Sequence, residues 1–521
     1  MSSAKNLAFG KDAIDKLLSG ISKLSALVAP HIGPETVSRT SIISLNRGSL
    51  SNEQKKLLSL ENDFEVVGAE MALSLGDSVN TKAGGGSITS ILLLEALLKE
   101  SVKAIKEGAH SEQIIEGLHL GAQELEKELS QISMRVKDLD KIRDLALCAS
   151  RGNELVAKTV HAAFSAVFPS GFILVDNVEQ RPPLSNTDGL KLPFGFSSPY
   201  FVSDTSSMSV SLSSPYVLVV HEKISELHPF LTLFKKISEK GRDLLILCES
   251  ISSQTLSSLI INKIKDLLRV CVASPKNPSS FSKHELEDAA LFSGTFIVRQ
   301  ENLPSLSLEA LGKCDQARIF SNKLVLLGSY LQPELHALQI KKLNESIKNT
   351  ADEQEKFLFE QRKKRLSEKV SFININSACE KNFKDLESSI KECILSVETA
   401  LESGFIPGAG ASLFYASSSL EALLENQPDS STKLGITALQ RACFIPMSQI
   451  ISNSGFKPEV VIKKLQALKN PVMGLNGCSE QIEDLIAAGI LDPYKTVIET
   501  LRSSVELAAL ILRSEAVISK K

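Results

Sequence analysis

Six short apolar runs fall between residues 171 and 327, at 171–175, 215–220, 243–247, 267–272, 294–298 and 323–327. Stretches of helical spacing at 224–240, 252–266 and 283–292 separate several of them. Strands that alternate with helices predict an α/β unit. The flanks differ. Residues 11–30 and 64–132 read as mainly helical, with a break near Gly108–Ser111, where Ser111 is placed to cap the second long helix. The segment 333–369 is polar and free of glycine, which predicts a helical hairpin broken near residues 349–352, and helix-rich sequence then runs to the end. The serine-rich tract 203–214 is expected to be an exposed loop. The order helical, α/β, helical is that of a multidomain protein in which an α/β domain is inserted into a helical one.

A chain of 521 residues is too long for one core. A formal charge of −3 gives no reason to expect nucleic acid or a membrane surface as a partner. No apolar run is long enough to span a bilayer, and the first residues lack the apolar core of a signal peptide. The eight cysteines stand singly with no CxxC pair, which argues against a zinc cluster or redox dithiol and fits a reducing cytoplasm.

The segment Gly84-Gly85-Gly86-Ser87-Ile88-Thr89-Ser90 opens the apolar run 91–98. Glycines let the backbone approach an anion closely, and a following helix turn presents free N–H groups and the positive end of its dipole. Read alone, it is either a phosphate site or an interhelical turn with no ligand. No carboxylate lies in this loop to hold a magnesium ion.

The domain order and five local motifs resemble the bacterial 60 kDa chaperonin family along essentially the whole chain. Residues 27–34, with His31, Ile32, Gly33 and Pro34, are similar to that family's first phosphate loop. Residues 61–71 are similar to the helix that follows, and 198–201 to the entry of its substrate domain. Residues 404–410 are similar to its late glycine loop, and 489–493 give the most specific match. The resemblance implies a chaperonin-like fold. Its helical equatorial domain would be 1–132 with 405–521, its small intermediate hinge domain 133–188 with 370–404, and its inserted α/β apical domain 189–369. It also implies a homo-oligomeric ring that binds ATP and non-native polypeptides and takes a co-chaperonin lid; a ring mixed with another chaperonin is an alternative.

The nucleotide site departs from the family's pattern. Where the family has Gly-Asp-Gly-Thr-Thr-Thr, this chain has Gly84, Gly85, Gly86, Ser87, Ile88 and Thr89. The magnesium-ligating Asp falls on Gly85, and one hydroxyl falls on Ile88. The family's Lys-Asp-Gly aligns roughly with residues 49–51, which are Ser, Leu and Ser. The catalytic Asp falls on Glu392. Gly408, Ala409, Gly410, Asn476 and Asp492 still fit contacts to base and ribose. The expectation is that ATP binds while magnesium binding and hydrolysis are weak or lost. On the apical helices, Leu231, Phe234, Leu256, Ile260 and Ile261 would face the polypeptide groove, with Tyr200 and Phe201 nearby. Gly189 fits the first hinge, and Glu368-Lys369 replace the paired glycines of the second. Three alternatives stay open: an ordinary ATP-driven folding chaperonin, a non-hydrolysing subunit that regulates an authentic one, and an interaction protein that keeps the fold without nucleotide.

Overall fold

The computed structural model describes residues 5–33, 50, 55–56, 58–169, 171–176, 182–204, 208–276, 283–331, 333–375 and 383–520. Its contacts divide the chain into two compact units, Met1–Ala162 with Ile375–Lys521, and Ala163–Asn374. The first unit therefore closes on itself from both ends of the chain. The segments 133–188 and 370–404, expected to form a hinge domain, are shared between the two.

The helical unit is built around the helix Ser87–Lys106. Ile91, Leu92, Leu93, Leu94, Leu97 and Leu98 are all buried. The stretch 91–98 is apolar nearly all round and packs at the centre of the core, while Lys99, Lys103 and Lys106 reach solvent from the second half. The helix is enclosed by Asp63–Ala83, Ser430–Asn453 and Tyr494–Leu512, with a single aliphatic core running through them. Glycine sets two of the helix crossings in this unit. A Cβ on Gly20 of Gly10–Val28 would lie 1.9 Å from the Glu65 carbonyl oxygen, and one on Gly68 would lie 2.2 Å from that of Leu17. Gly117 of Ser111–Ile132 and Gly435 of Ser430–Asn453 meet in the same way. Asn62 caps Asp63–Ala83 by accepting from the Phe64 and Glu65 N–H groups. The cap of Ser111–Ile132, by contrast, is His110 with no side-chain bond. Ser111 instead starts the helix and donates to the Leu512 carbonyl. The two strands Lys5–Phe9 and Ala516–Lys520 pair antiparallel.

The second unit holds two sheets. In the five-stranded one the order is Phe194–Phe196, Val270–Pro275, Leu244–Cys248, Tyr216–Val220, Gly312–Lys313. Its three central strands are parallel and fully apolar, as strands covered on both faces must be. The helices Leu231–Lys240 and Ser253–Ile264 make the two successive crossovers between them. Successive right-handed crossovers that advance in one direction place both helices on one face. The six-stranded sheet has the order Gly171–Asp176, Lys369–Asn374, Leu184–Leu192, Leu324–Leu327, Gln316–Ile319, Val210–Ser213.

Several expectations need correction. Residues 294–298 form no strand and contribute only the bridge from Val298 to Val220, because Gly294 turns the chain in the left-handed region. The serine-rich tract contains the strand Val210–Ser213, whose residues alternate buried and exposed. The helical hairpin is present as Pro333–Asn349 and Glu353–Leu366, the second capped by Asp352. Arg362 anchors it to Lys283–Phe292 through Asp288 at 2.6 Å and Glu287 at 2.8 Å. Gly189 lies inside a strand opposite Leu327, with no left-handed backbone. A Cβ there would be 2.0 Å from Val370 Cγ2, so packing is what requires glycine. Glu368 is partly buried beside Lys191, Lys364 and Arg365, and burial pushes its carboxyl up to about 7.

Candidate functional site

A cavity of about 520 Å³ lies in the helical unit. It falls within the size range of small-molecule sites. Its floor is the junction of Asp63–Ala83 and Ser87–Lys106. Gly84 ends the first helix at φ 70° and Gly86 precedes the second at φ 85°. A Cβ on Gly84 would lie 2.4 Å from the Ser396 amide nitrogen, and one on Gly86 would lie 2.4 Å from Thr500 Oγ1. Both positions therefore require glycine on two grounds, backbone and space. Gly85 differs: its backbone is ordinary, and a Cβ would meet only Thr496 Cγ2, at 3.6 Å. It is the one glycine of the three that could carry a side chain.

Ile32, Gly33, Gly84, Gly85, Gly86, Ser87, Ile88, Thr89, Ala409, Gly410, Asn476, Asp492 and Glu392 all line this cavity, so the structure brings together most of the residues picked from sequence. Two do not reach it. His31 is buried beneath the loop, whose carbonyls at Ala29 and Ile32 are held by the Asn453 amide. Gly408 pairs with Ile490 beside the strands Phe405–Pro407 and Leu491–Pro493. Pro34 and residues 49 and 51 lie outside the described residues.

The side chains are not equally available. Ser87 Oγ donates to the Gly76 carbonyl at 3.0 Å and points away from an incoming anion. The backbone N–H groups of Ser87, Ile88 and Thr89 precede the first helical bond, Ser90 to Gly86, and have no partner within the helix. Ile88 is buried. Glu392 accepts a bond from Asn80 Nδ2 at 3.0 Å. Asn476 is committed to its own hairpin, donating to Glu483 at 2.6 Å and accepting from the Cys478 N–H at 2.9 Å. Asp492 is desolvated, and burial pushes its carboxyl up to about 6. Sequence reasoning missed Arg151 and Cys478, which also line the cavity. Neither belongs to a motif, and only the tertiary fold brings them there.

The lining offers donors suited to an adenine nucleotide, and the glycine loop itself carries no carboxylate for a metal. The volume, the amides over the glycine loop and a desolvated carboxylate at Asp492 suit phosphates and ribose hydroxyls. Among the described residues no three His, Cys, Asp or Glu side chains are grouped to hold a metal ion. The two lining carboxylates are Glu392 and Asp492, and none lies on the glycine loop.

The second unit presents the expected apolar surface on its two crossover helices. Phe230, Leu233 and Ile237 turn inward and are fully buried, as is Leu259. Leu231 is 55% exposed and Ile261 51%, while Phe234, Leu256 and Ile260 pack partly against the core. Two apolar stripes thus share each helix. Tyr200 is 70% exposed and sits beside Ser253–Ile264, where Lys263 Nζ donates to its carbonyl at 3.1 Å. Phe201 is a correction: it is fully buried in the sheet's core and cannot touch a client. Ile264 and Leu267 extend the exposed stripe. Leu267 was expected in a strand, but that strand begins at Val270 and leaves it in the preceding turn.

Comparison with known proteins agrees with this geometry. The model of the TCP-1/cpn60 chaperonin family matches residues 57–226 and 200–521. Chaperonin GroEL 3 of Protochlamydia amoebophila (strain UWE25) is 28% identical over 527 residues, covering 100% of this chain and 98% of that protein. Two crystal forms of the chaperonin gp146 from bacteriophage EL 2 (Pseudomonas aeruginosa), both in the presence of ATP-BeFx, share the fold. The first has a TM-score of 0.73 at 17% identity, covering 98% of both chains. The second has 0.64 at 16%, covering 99% of both. The family match extends over both flanks and the inserted middle, and the chain belongs to the TCP-1/cpn60 chaperonin family.

Proposed function

We propose that this chaperonin-type chaperone binds non-native polypeptides as a ring subunit and holds adenine nucleotide with weak or absent turnover. The observation that carries the reading is the contrast within one cavity. The glycine cradle is intact, while Gly85 leaves a space where the resemblance puts a metal-binding Asp. Phosphoryl transfer depends on charge neutralisation and positioning more than on covalent chemistry. Losing a metal ligand costs on the order of 3 kcal/mol of transition-state stabilisation, a rate factor of over a hundred. Contacts to base and ribose are left unaffected.

Client binding rests on Leu231, Ile261, Ile264, Leu267 and Tyr200, which are exposed on the second unit. Burying each such side chain against a client contributes roughly 1.5–3 kcal/mol without directional demands, which suits broad choice. The three-domain division at 132, 188, 369 and 404, a co-chaperonin lid and a cytoplasmic site are part of the same proposal. Among the described residues no helix is long and apolar enough to cross a membrane.

The test is protection of a denatured client from aggregation, with and without ATP. The unaltered protein should protect without ATP. Leu231→Ser with Ile261→Ser should abolish protection while circular dichroism and melting stay unchanged, since both side chains are exposed. Protection that persists in the double variant would show that clients bind elsewhere.

A further inference from the structure

We propose that Arg151 is a phosphate-binding residue of the cavity, a fixed cation standing in for the metal that the glycine loop no longer anchors. This rests on the nucleotide reading above. Arg151 is the sole lysine or arginine among the described residues lining the cavity, and it shares that lining with Gly84–Thr89 and Glu392. Among the described residues it makes no side-chain hydrogen bond and no ion pair within 4.0 Å. A cation that lines a cavity with no ion pair within 4.0 Å is placed for an anion that enters it. Arg151 is exposed as a residue while it contributes to the cavity lining. Burial there lowers its pKa from the ordinary value, while the charge of Glu392 opposes the shift.

The local backbone makes the choice of residue informative. Arg151 sits at φ 57°, in the turn closing Leu139–Ala149, where Gly152 N–H donates to the Leu147 carbonyl at 2.9 Å. Gly152 follows at φ 81°. The left-handed region favours glycine or asparagine, and a bulky side chain there is an outlier.

The chemistry then differs from that of a metal site. A guanidinium offers paired N–H donors in a rigid fork matched to phosphate oxygens, and it is always charged. It adds positive charge to the cavity that the amides of Ser87, Ile88 and Thr89 also line, and offsets the repulsion between Glu392 and a phosphate. Binding of nucleoside di- and triphosphates should accordingly be independent of magnesium.

The experiment is calorimetric titration of the full-length protein with ATP and with adenosine, each in EDTA and in millimolar magnesium. The unaltered protein should bind ATP with affinities within about threefold in the two conditions. Arg151→Gln should weaken ATP binding in EDTA at least about tenfold and leave adenosine unchanged, with Arg151→Lys in between, because a point charge lacks the fork. Arg151→Asn, suited to the left-handed backbone, repeats the measurement if the glutamine variant melts early. ATP binding unchanged in these variants would overturn the assignment, as would equal losses for ATP and adenosine, which would mark a structural role. Magnesium-dependent binding by the unaltered protein would overturn it too. If the unaltered protein bound neither ATP nor adenosine, the nucleotide reading itself would fall.

Discussion

In the proposed nucleotide reading the cavity has a phosphate end and a nucleoside end, and the two are made of different material. At the phosphate end the shape is backbone: Gly84 and Gly86 are held left-handed and pressed against Ser396 and Thr500. At the other end it is side chains, Asp492 desolvated on a strand and Asn476 tied into a hairpin. A backbone cradle is fixed by the packing of the whole helical core, so it persists when the side chains that did chemistry within it change. Of the three glycines only Gly85 has room for a side chain, so a substitution there leaves the shape of the cradle unchanged.

The sharpest way to break this contrast is to disturb the cradle itself. Gly86→Val would force a β-branched residue into the left-handed region and into Thr500. It should cost about 3 kcal/mol or more of stability in urea denaturation. A loss under about 1 kcal/mol would mean that the loop is not held as described.

The nucleoside end is tested by pH. Burial raises Asp492 to about 6 from an unfolded value near 3.8, so the folded state binds a proton that the unfolded state releases. Its effect is therefore neutral below about pH 4, grows more destabilising up to about pH 6, and stays constant above. Asp492→Asn should gain on the order of 2 kcal/mol at pH 8 and nothing at pH 4. A gain independent of pH would remove Asp492 as a desolvated carboxylate. Glu65 gives the opposite sign in the same unit. Burial alone would raise its pKa, but bonds from Lys23, Ser19 and the Glu61 N–H hold it below the ordinary value. Its stabilisation is present above about pH 4.5 and lost as pH falls through the lowered value, so Glu65→Gln should destabilise at pH 7 and lose that effect in acid.

Gly85→Ala should change stability by less than about 1 kcal/mol, because only Thr496 lies near. The gap between this value and that for Gly86→Val measures how far the three glycines differ. The smallest expected effect is kinetic. Cys478 is exposed and lines the cavity, whereas Cys443, Cys393, Cys314, Cys271 and Cys248 are buried. Bound nucleotide should slow alkylation of Cys478 several-fold, read by mass spectrometry. Equal rates with and without nucleotide would place the ligand elsewhere.

Much of this was legible in the sequence because it rests on local pattern. The order of helical and α/β blocks, the paired long helices broken at residue 108, and the hairpin capped at Asp352 all follow from periodicity and breakers. What escaped depends on partners distant in sequence. Leu184–Leu192 contains Asn, Asp and Gly, poor strand formers, and is a strand because Lys369–Asn374 and Leu324–Leu327 bond it on both sides. Residues 294–298 have the composition of a strand but lack such neighbours beyond one bridge. At the site, the glycine loop was visible as a motif, whereas Arg151 carries no local signal. Phe201 was misjudged because the family resemblance placed it near the groove together with Tyr200, and a resemblance does not show which of two adjacent rings is buried. The core claims one ring and solvent the other.

The central claim is that this cavity holds nucleotide with weak or absent turnover. The most direct measurement is the identity of the nucleotide recovered from the purified protein after incubation with ATP and magnesium and rapid removal of free ligand. The account predicts stoichiometric, intact triphosphate after many minutes. Recovery of diphosphate, formed at a rate set by the protein and free of any host chaperonin, would contradict it.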